Sequence, residues 1–421
     1  MIHSGGIKLI FLLALIPCCM HTSMAQKKKQ DNLLETLLRK NAPFFDSILA
    51  HRDELRVQII YTEINRDKKG KVTFMDHNWH VNTGEYYYPA STVKLPIAIL
   101  ALQRLNELKI KGLDRHTTMI TGADGDRQTE VCNDPTAPDG RPTIEHYIKK
   151  ILLVSDNDAF NRLYEFLGQE YINNSLHRMG YTDVQIIHRL DISLTEQENR
   201  HTNPVEFMDS TGKVICYKAP ERSRLVYAKR DIRLGKGFYR NGVLVNEPFD
   251  FSQKNCFPLA SLHSIVKSIL FPEAVPKQMR FNLTEEDYAF LRKYMSMMPG
   301  ESAWPSYQAP DYWDTYVKFL YYGSEKGKAE PGIRIFNKVG DAYGFLIDGA
   351  YLADYQNKVE FLLSAVIHCN SDGIYNDDHY DYETVGLPFL KNLGRIIHAY
   401  ERTKVRKGSA SFFPQKINYS D

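Results

Sequence analysis

The sequence predicts a mixed α/β (α+β) protein. An antiparallel sheet, built from strands at both ends of the chain and flanked by helices, carries an inserted helical subdomain. Three observations predict this. β-Branched alternation marks Arg56 to Asn65 (RVQIIYTEIN), and two further strand patterns, Gly344 to Ala353 and Lys358 to His368, lie near the C-terminus. Between them, apolar residues recur mostly at helical three- and four-residue steps. Strands at the ends and helices in the middle imply one sheet closed by distant segments.

The elements follow in order. Lys8 precedes an apolar run from Leu9 to Ile16, and Ser23-Met24-Ala25 follows it. This predicts a signal peptide over 1–25 cleaved after Ala25, hence export to the periplasm or medium; the run is too short to span a bilayer. Cys18 could suggest a lipid anchor, but Pro17 just before it argues against that. Leu33, Leu34, Leu37, Leu38, Phe44, Phe45, Ile48 and Leu49 predict a helix over Asp31 to Ala50. After Arg56 to Asn65, the turn Asp67-Lys68-Lys69-Gly70 leads into Val72 to Trp79 as a hairpin partner. Ser91 to Lys109 is apolar nearly all round, which marks a buried helix, and Pro96 sits early enough in it to be tolerated. Thr143 caps a helix through Leu153; Ser155-Asp156-Asn157 interrupts it, and Asp158 to Leu167 continues until Gly168. Another helix ends at Gly180. Asn241-Gly242 is a hairpin turn, Asp354 to Asn357 joins the two C-terminal strands, and a last helix runs from Leu387 to Arg402. The polar end, 404–421, is expected to be disordered.

Composition excludes more than it selects. A formal net charge of +2 gives no basis for nucleic-acid or anionic-membrane binding. Beyond the signal segment stand Cys132, Cys216, Cys256 and Cys369, with no CxxC spacing to imply a metal; no cofactor is expected, and Cys216–Cys256 is the candidate for a single bridge. The acidic cluster Asp372, Asp377, Asp378 and Asp381 lacks calcium-loop spacing and reads as a solvated loop. The 26 tyrosines suit broad, partly wet surfaces without naming a ligand.

Two short motifs carry chemistry. Ser91-Thr92-Val93-Lys94 opens the buried helix, and its i, i+3 spacing puts a hydroxyl and an amine on one face. A serine needs a neighbouring base, and a lysine in a water-poor site has its pKa lowered enough to be one. The helix N-terminus adds N–H groups and a positive dipole end for a developing oxyanion. The same S-x-x-K pattern occurs at Ser210/Lys213 and Ser264/Lys267, so spacing alone decides nothing. Only Ser91 opens a buried helix and precedes the triplet Ser155-Asp156-Asn157. Taken by itself, that triplet is a helix N-cap; taken with Ser91, it supplies a proton-shuttling hydroxyl at Ser155 and a substrate-binding amide at Asn157.

Tyr88-Pro89-Ala90-Ser91-Thr92-Val93-Lys94-Leu95-Pro96 resembles the nucleophile segment of class A serine β-lactamases and their penicillin-binding relatives, whose motifs are S-x-x-K, S-D-N and K-T/S-G. Lys338-Val339-Gly340 would be the third motif, just before the C-terminal strand pair. By motif order the resemblance covers about residues 31 to 403. It implies a catalytic region over 26–403, with the sheet at 31–88 and 332–403 and the helical subdomain at 89–331. It also implies an acyl-Ser91 intermediate, an oxyanion hole from the Ser91 and Asp341 amides, substrate contacts at Asn157, Gly340 and Asp341, and catalytic roles for Lys94, Ser155 and Lys338. Asp191, in Arg189-Leu190-Asp191 before Thr202-Asn203-Pro204, would be the base for the hydrolytic water; read without the resemblance, it is a turn-capping aspartate.

Three departures bear on function. Asp191 is one methylene shorter than the family's glutamate, about 1.5 Å, and Thr195 replaces the asparagine expected to help hold water; a misplacement of that size costs on the order of a hundredfold in rate. Val339 replaces a hydroxyl that would bind a substrate carboxylate, and Gly344 to Asp348 shows no arginine in compensation. The interval from Pro204 to Lys338 is long, with an insertion at about 209–276 that is either a lid or a surface elaboration. The implied substrate is a β-lactam or a peptidoglycan-type amide. A D-Ala-peptidase-like protein, another amidase or esterase, and a non-catalytic binding protein are the alternatives. No G-x-S-x-G elbow or H-E-x-x-H motif points to another hydrolase class.

Overall fold

The computed structural model describes residues 1, 33–404 and 417–419. The expected signal segment, Cys18 included, lies outside the described residues apart from Met1.

Five antiparallel strands form the main sheet in the order Ile333–Ala342, Phe345–Asp354, Val359–His368, Gln58–Arg66, Val72–Trp79. The first and last strands of the chain's two ends therefore meet: Gln58 pairs with Val366 and Glu63 with Phe361. This is the sheet expected from the sequence, with one addition. Lys338-Val339-Gly340 precedes the strand pair as expected, but it lies inside a third strand at the sheet edge, where Val339 pairs with Asp348 and Gly340 with Ile347. Glycine and lysine weaken a strand pattern in sequence, and the pairing with Phe345–Asp354 that stabilises this edge strand is only visible once folded.

One face of the sheet is covered by helices Leu33–Lys40, Ala42–Ala50 and Leu387–Arg402, through Leu34, Leu38, Phe45, Phe389 and Leu393. The expected single N-terminal helix is thus two. It breaks at Asn41, because Pro43 cannot supply the N–H that a continuous helix would need there. The opposite face carries helices Leu259–Leu270 and Glu285–Ser296 and joins a second core around Lys94–Leu108. That helix is buried on every side, with Leu95, Ile97, Ala98, Ile99, Leu100 and Ala101 fully enclosed. Ile144–Val154, Asn157–Leu167 and Gln169–Arg178 surround it.

The middle of the chain is not purely helical. Thr118–Thr121, Val205–Met208 and Val214–Lys218 form a small antiparallel sheet, and Gly237–Arg240 pairs with Val243–Val245 across the Asn241-Gly242 turn. The insertion lies against the main body. Phe251 is fully buried among Tyr86, Tyr88, Tyr343, Phe345 and Tyr375. The candidate disulfide does not form: Cys132, Cys216, Cys256 and Cys369 are all free thiols. Cys216 is in the strand Val214–Lys218, whereas Cys256 pairs through its backbone with Gln185. In the terminal stretch expected to be disordered, Tyr419 stacks on the Arg334 guanidinium at 3.9 Å and shares a 2.9 Å hydrogen bond with Ser296. Among the described residues, no helix is long and apolar enough to cross a membrane.

Candidate active site

Ser91 sits in a short 3₁₀ turn, Ala90–Val93, that runs into the buried helix. The Thr92 hydroxyl and amide both donate to the Pro89 carbonyl, at 2.6 and 3.1 Å, which tightens this turn. Ala90 has φ +46°, a left-handed conformation that is costly for a residue with a Cβ. Ser155, at φ +64°, and Asp191, at φ +56°, share it. Backbone strain of this kind persists only where surrounding structure enforces it, and it concentrates at functional sites.

The edge strand closes against this turn at Gly340. A Cβ there would lie 2.8 Å from the Pro89 carbonyl oxygen and 3.0 Å from the Ser91 amide nitrogen. Glycine is therefore required by close backbone approach. The same face of the strand presents Lys338 one pleat away.

Five predicted residues converge, three of them on the amines of the other two. Lys94 Nζ lies 2.8 Å from Ser91 Oγ and 2.7 Å from Asn157 Oδ1, and it also bonds the Ser155 carbonyl. Ser155 Oγ stands 3.2 Å from Lys94 Nζ and receives a 2.8 Å bond from Lys338 Nζ. Both amines are buried, whereas Ser91, Ser155 and Asn157 are half-buried and reachable. Burial drives the Lys94 pKa far below the usual lysine value, and the nearby Lys338 charge drives it further. Burial also lowers Lys338, to about 7, while Asp341 and Asp348 oppose the shift.

The contacts of Lys94 fit a neutral amine. Such a group has two N–H donors and one lone pair. The Ser155 carbonyl and Asn157 Oδ1 are pure acceptors and take the two donors. The lone pair is left for the Ser91 hydroxyl proton.

Asp191 is brought to the site at one remove. Its carboxylate accepts from Asn157 Nδ2 at 3.3 Å, so it reaches Lys94 only through Asn157. Its backbone position is held by Asn161, which bonds the Leu190 N–H and C=O at 2.9 Å each. Beneath it, Arg189 forms a buried bidentate pair with Glu165, one contact at 2.8 Å, and stacks 5.2 Å from the Tyr164 ring. Glu165 also accepts from the Asn203 N–H at 2.7 Å, and Arg189 donates to the His201 carbonyl at 2.7 Å. One ion pair thus fastens both ends of the 189–203 loop. Thr195 turns away from the site: it caps helix Glu196–Arg200 in a capping box with Glu198. Between this loop and helix Asn157–Leu167 lies a 510 Å³ cavity bordered by Asn157, Asn161, Asp191 and Asn203.

Residues 47–226 match the model of the β-lactamase enzyme family. No curated protein matches the chain. Among solved structures, a β-lactamase from Xanthomonas campestris pv. campestris is similar at 13% identity, covering 88% of this chain and 97% of that one, with a TM-score of 0.46. A class A β-lactamase from Clostridium kluyveri is 14% identical over 86% of this chain and 99% of that one, with a TM-score of 0.45. A β-lactamase from Burkholderia phymatum is 13% identical over 89% of this chain and 98% of that one, with a TM-score of 0.45.

Sequence reasoning missed Glu165 and Asn161. A signal was present: Asn157, Asn161 and Glu165 recur every four residues, a polar stripe on an otherwise core-facing helix. It also missed the network behind Lys338. There Asn337 Nδ2 donates to both Asp348 oxygens at 2.9 and 3.1 Å, and Lys318 Nζ donates to Asn337 Oδ1 at 2.8 Å. Nothing in the sequence places Lys318 beside that strand.

Proposed function

We propose that this β-lactamase-like protein is an exported serine hydrolase that opens an amide or ester carbonyl through an acyl-Ser91 intermediate. The observation that carries this is the 2.8 Å Ser91–Lys94 contact, made by a buried amine whose pKa is driven far below the usual lysine value by that burial. Lys94 takes the Ser91 proton as Oγ attacks the carbonyl. The Ser91 amide, with the Asp341 amide on the adjoining strand, faces the developing oxyanion. Ser155, bonded by Lys338, passes a proton to the leaving group. Asp191, held through Asn157, activates the water that clears the acyl group.

A second reading is favoured by one observation. Asp191 is separated from Lys94 by a side chain, and Thr195 is spent on a helix cap. Deacylation is then the slow step, and a persistent adduct would make the protein resemble a penicillin-binding protein more than a β-lactamase.

The test is intact-mass spectrometry with a fluorophosphonate, followed by benzylpenicillin sampled from seconds to hours. A single fluorophosphonate adduct on wild type and none on Ser91→Ala is expected. Undiminished labelling of Ser91→Ala would sink the assignment. A transient penicillin adduct separates turnover from a trapped acyl-enzyme.

A further inference from the structure

The edge strand has two faces at the site, and they differ in charge. Lys338 and Gly340 point to the nucleophile turn; Val339 and Asp341 occupy the alternate face. Val339 is buried, and its cross-strand partner is Asp348. Asp348 is itself fully buried, its oxygens taken by Asn337 Nδ2 and by the Leu320 N–H at 3.0 Å. The buried cation of that network, Lys318, spends its amine on Asn337 Oδ1 and the Met295 carbonyl at 2.9 Å. Asp341 is different: it is exposed, and it directly follows the glycine that touches the Ser91 amide.

Among the described residues, the two lysines at the nucleophile are both engaged. Lys94 is enclosed by Ser155 and Asn157. Lys338 is buried and donates to Ser155 Oγ and, at 3.0 Å, to the Val339 carbonyl. Between Val339 and Asp348 the edge strand and its partner contain no other Lys or Arg. The exposed side chain beside the nucleophile is therefore an acid; its surroundings raise the carboxyl by desolvation, and Lys338 and Lys94 counter that and favour its charged form. Burial raises the Tyr382 phenol and the Asp341 charge adds to that; the Tyr316 phenol is likewise raised by burial, then by Tyr312 and Asp341. An exposed carboxylate beside the nucleophile attracts a cation and repels an anion.

We infer that the cleft selects an acyl substrate with an ammonium group beside the scissile bond and rejects one with a carboxylate there, Asp341 setting the choice. The inference rests on Ser91 as the nucleophile. A like charge placed against Asp341 is repelled and an opposite one attracted, and the two effects together correspond to at least about tenfold in discrimination.

Three matched phenylacetyl thioesters test it: those of thiocholine, of its uncharged isostere 3,3-dimethylbutanethiol, and of 3-mercaptopropionic acid. Each competes with a fluorophosphonate for Ser91, and the concentration giving half-protection is read by mass spectrometry. The expected order is thiocholine, neutral, carboxylate, with about tenfold between the first and last. Asp341→Asn should shrink that ratio to below about threefold. Equal protection, stronger protection by the carboxylate, no protection by any of the three, or a ratio unchanged in Asp341→Asn would overturn the inference. A wild-type protein that the fluorophosphonate fails to label would instead overturn the acyl-Ser91 reading, and this inference with it.

Discussion

Glu165→Gln isolates the loop that carries Asp191 from the groups around Ser91. In the native structure the Glu165 carboxylate neutralises Arg189 and caps the Asn203 N–H, with both ionic side chains only 4% exposed. Glutamine keeps the volume, but it presents at most one acceptor where three donors now converge, and it removes the negative charge. Stranding a buried guanidinium in this way costs about 3–5 kcal/mol. That is several times the ~1 kcal/mol net of any single neutral hydrogen bond left on the loop, and it falls on the two loop ends that the ion pair fastens. Residues 189–203 are therefore expected to detach locally while the sheet and the Lys94–Leu108 helix stay folded. Hydrogen exchange should rise over 189–203 and stay unchanged over 94–108. With 4-nitrophenyl acetate, the burst that reports acylation should keep its rate within about threefold. The steady state that reports deacylation should fall by about a hundredfold, because Asp191 loses its position. Unchanged exchange across 189–203, or a burst that falls in step with the steady state, would refute the reasoning.

Four further outcomes are expected. Lys94→Ala should slow fluorophosphonate labelling by about 10²–10⁴, the usual contribution of a general base, while circular dichroism stays native. Acylation should decline as pH rises through about 7, because Lys338 loses its proton near that value; Lys338→Arg, which stays charged, should move that limb above pH 9. The stability contribution has the opposite sign: the unfolded lysine keeps its proton up to about 10.5, so the unfolded chain binds more protons between about 7 and 10.5, and stability rises with pH across that window, readable from urea midpoints. Gly340→Ala should push the edge strand off the Ser91 turn and cut the labelling rate at least tenfold, since the new methyl would meet backbone at 2.8 Å. Phe251→Ala should cost about 3–5 kcal/mol in the same denaturation assay, because the ring is fully buried against the segment leading to Ser91.

Much of the fold was legible because its strands and helices obey simple periods. Leu387–Arg402 and the strand pair before it fall where the patterns put them. The edge strand did not, since Asn337, Lys338, Gly340 and Asp341 interrupt any alternation, and they do so because each has a task other than packing. The N-terminal helix was drawn too long because hydrophobic spacing continues across Asn41 while the backbone cannot. At the site, residue types and order placed Ser91, Lys94, Ser155, Asn157 and Lys338 in one cleft. The partner of Arg189 and the buried Lys318–Asn337–Asp348 chain depend on contacts between distant segments that leave no local pattern. The insertion, open between a lid and an outlying elaboration, proves to brace the floor of the cleft through Phe249 and Phe251 against Tyr343.

Two lysines meet at Ser155 Oγ, and the chemistry needs them in different protonation states. Two ammonium groups cannot share one buried cavity without a large desolvation cost and mutual repulsion. The surroundings decide which one yields. Lys94 has only neutral acceptors within bonding distance, and it gives up its proton. Lys338 lies on the strand that also carries Asp341 and runs beside the one carrying Asp348, and their negative charge holds its pKa up against burial. The acids opposite the nucleophile face therefore do two jobs. They keep a proton on the amine that serves the leaving group, and they leave the exposed charge at the mouth of the cleft negative. A chain that relies on Asp341 and Asp348 to charge Lys338 has no simple route to an anion-binding cleft. Placing an arginine on that face would favour a carboxylate, yet it would also push Lys338 toward its neutral form. On the proposed reading, substrate preference and proton supply thus share Asp341, so that a change there alters both.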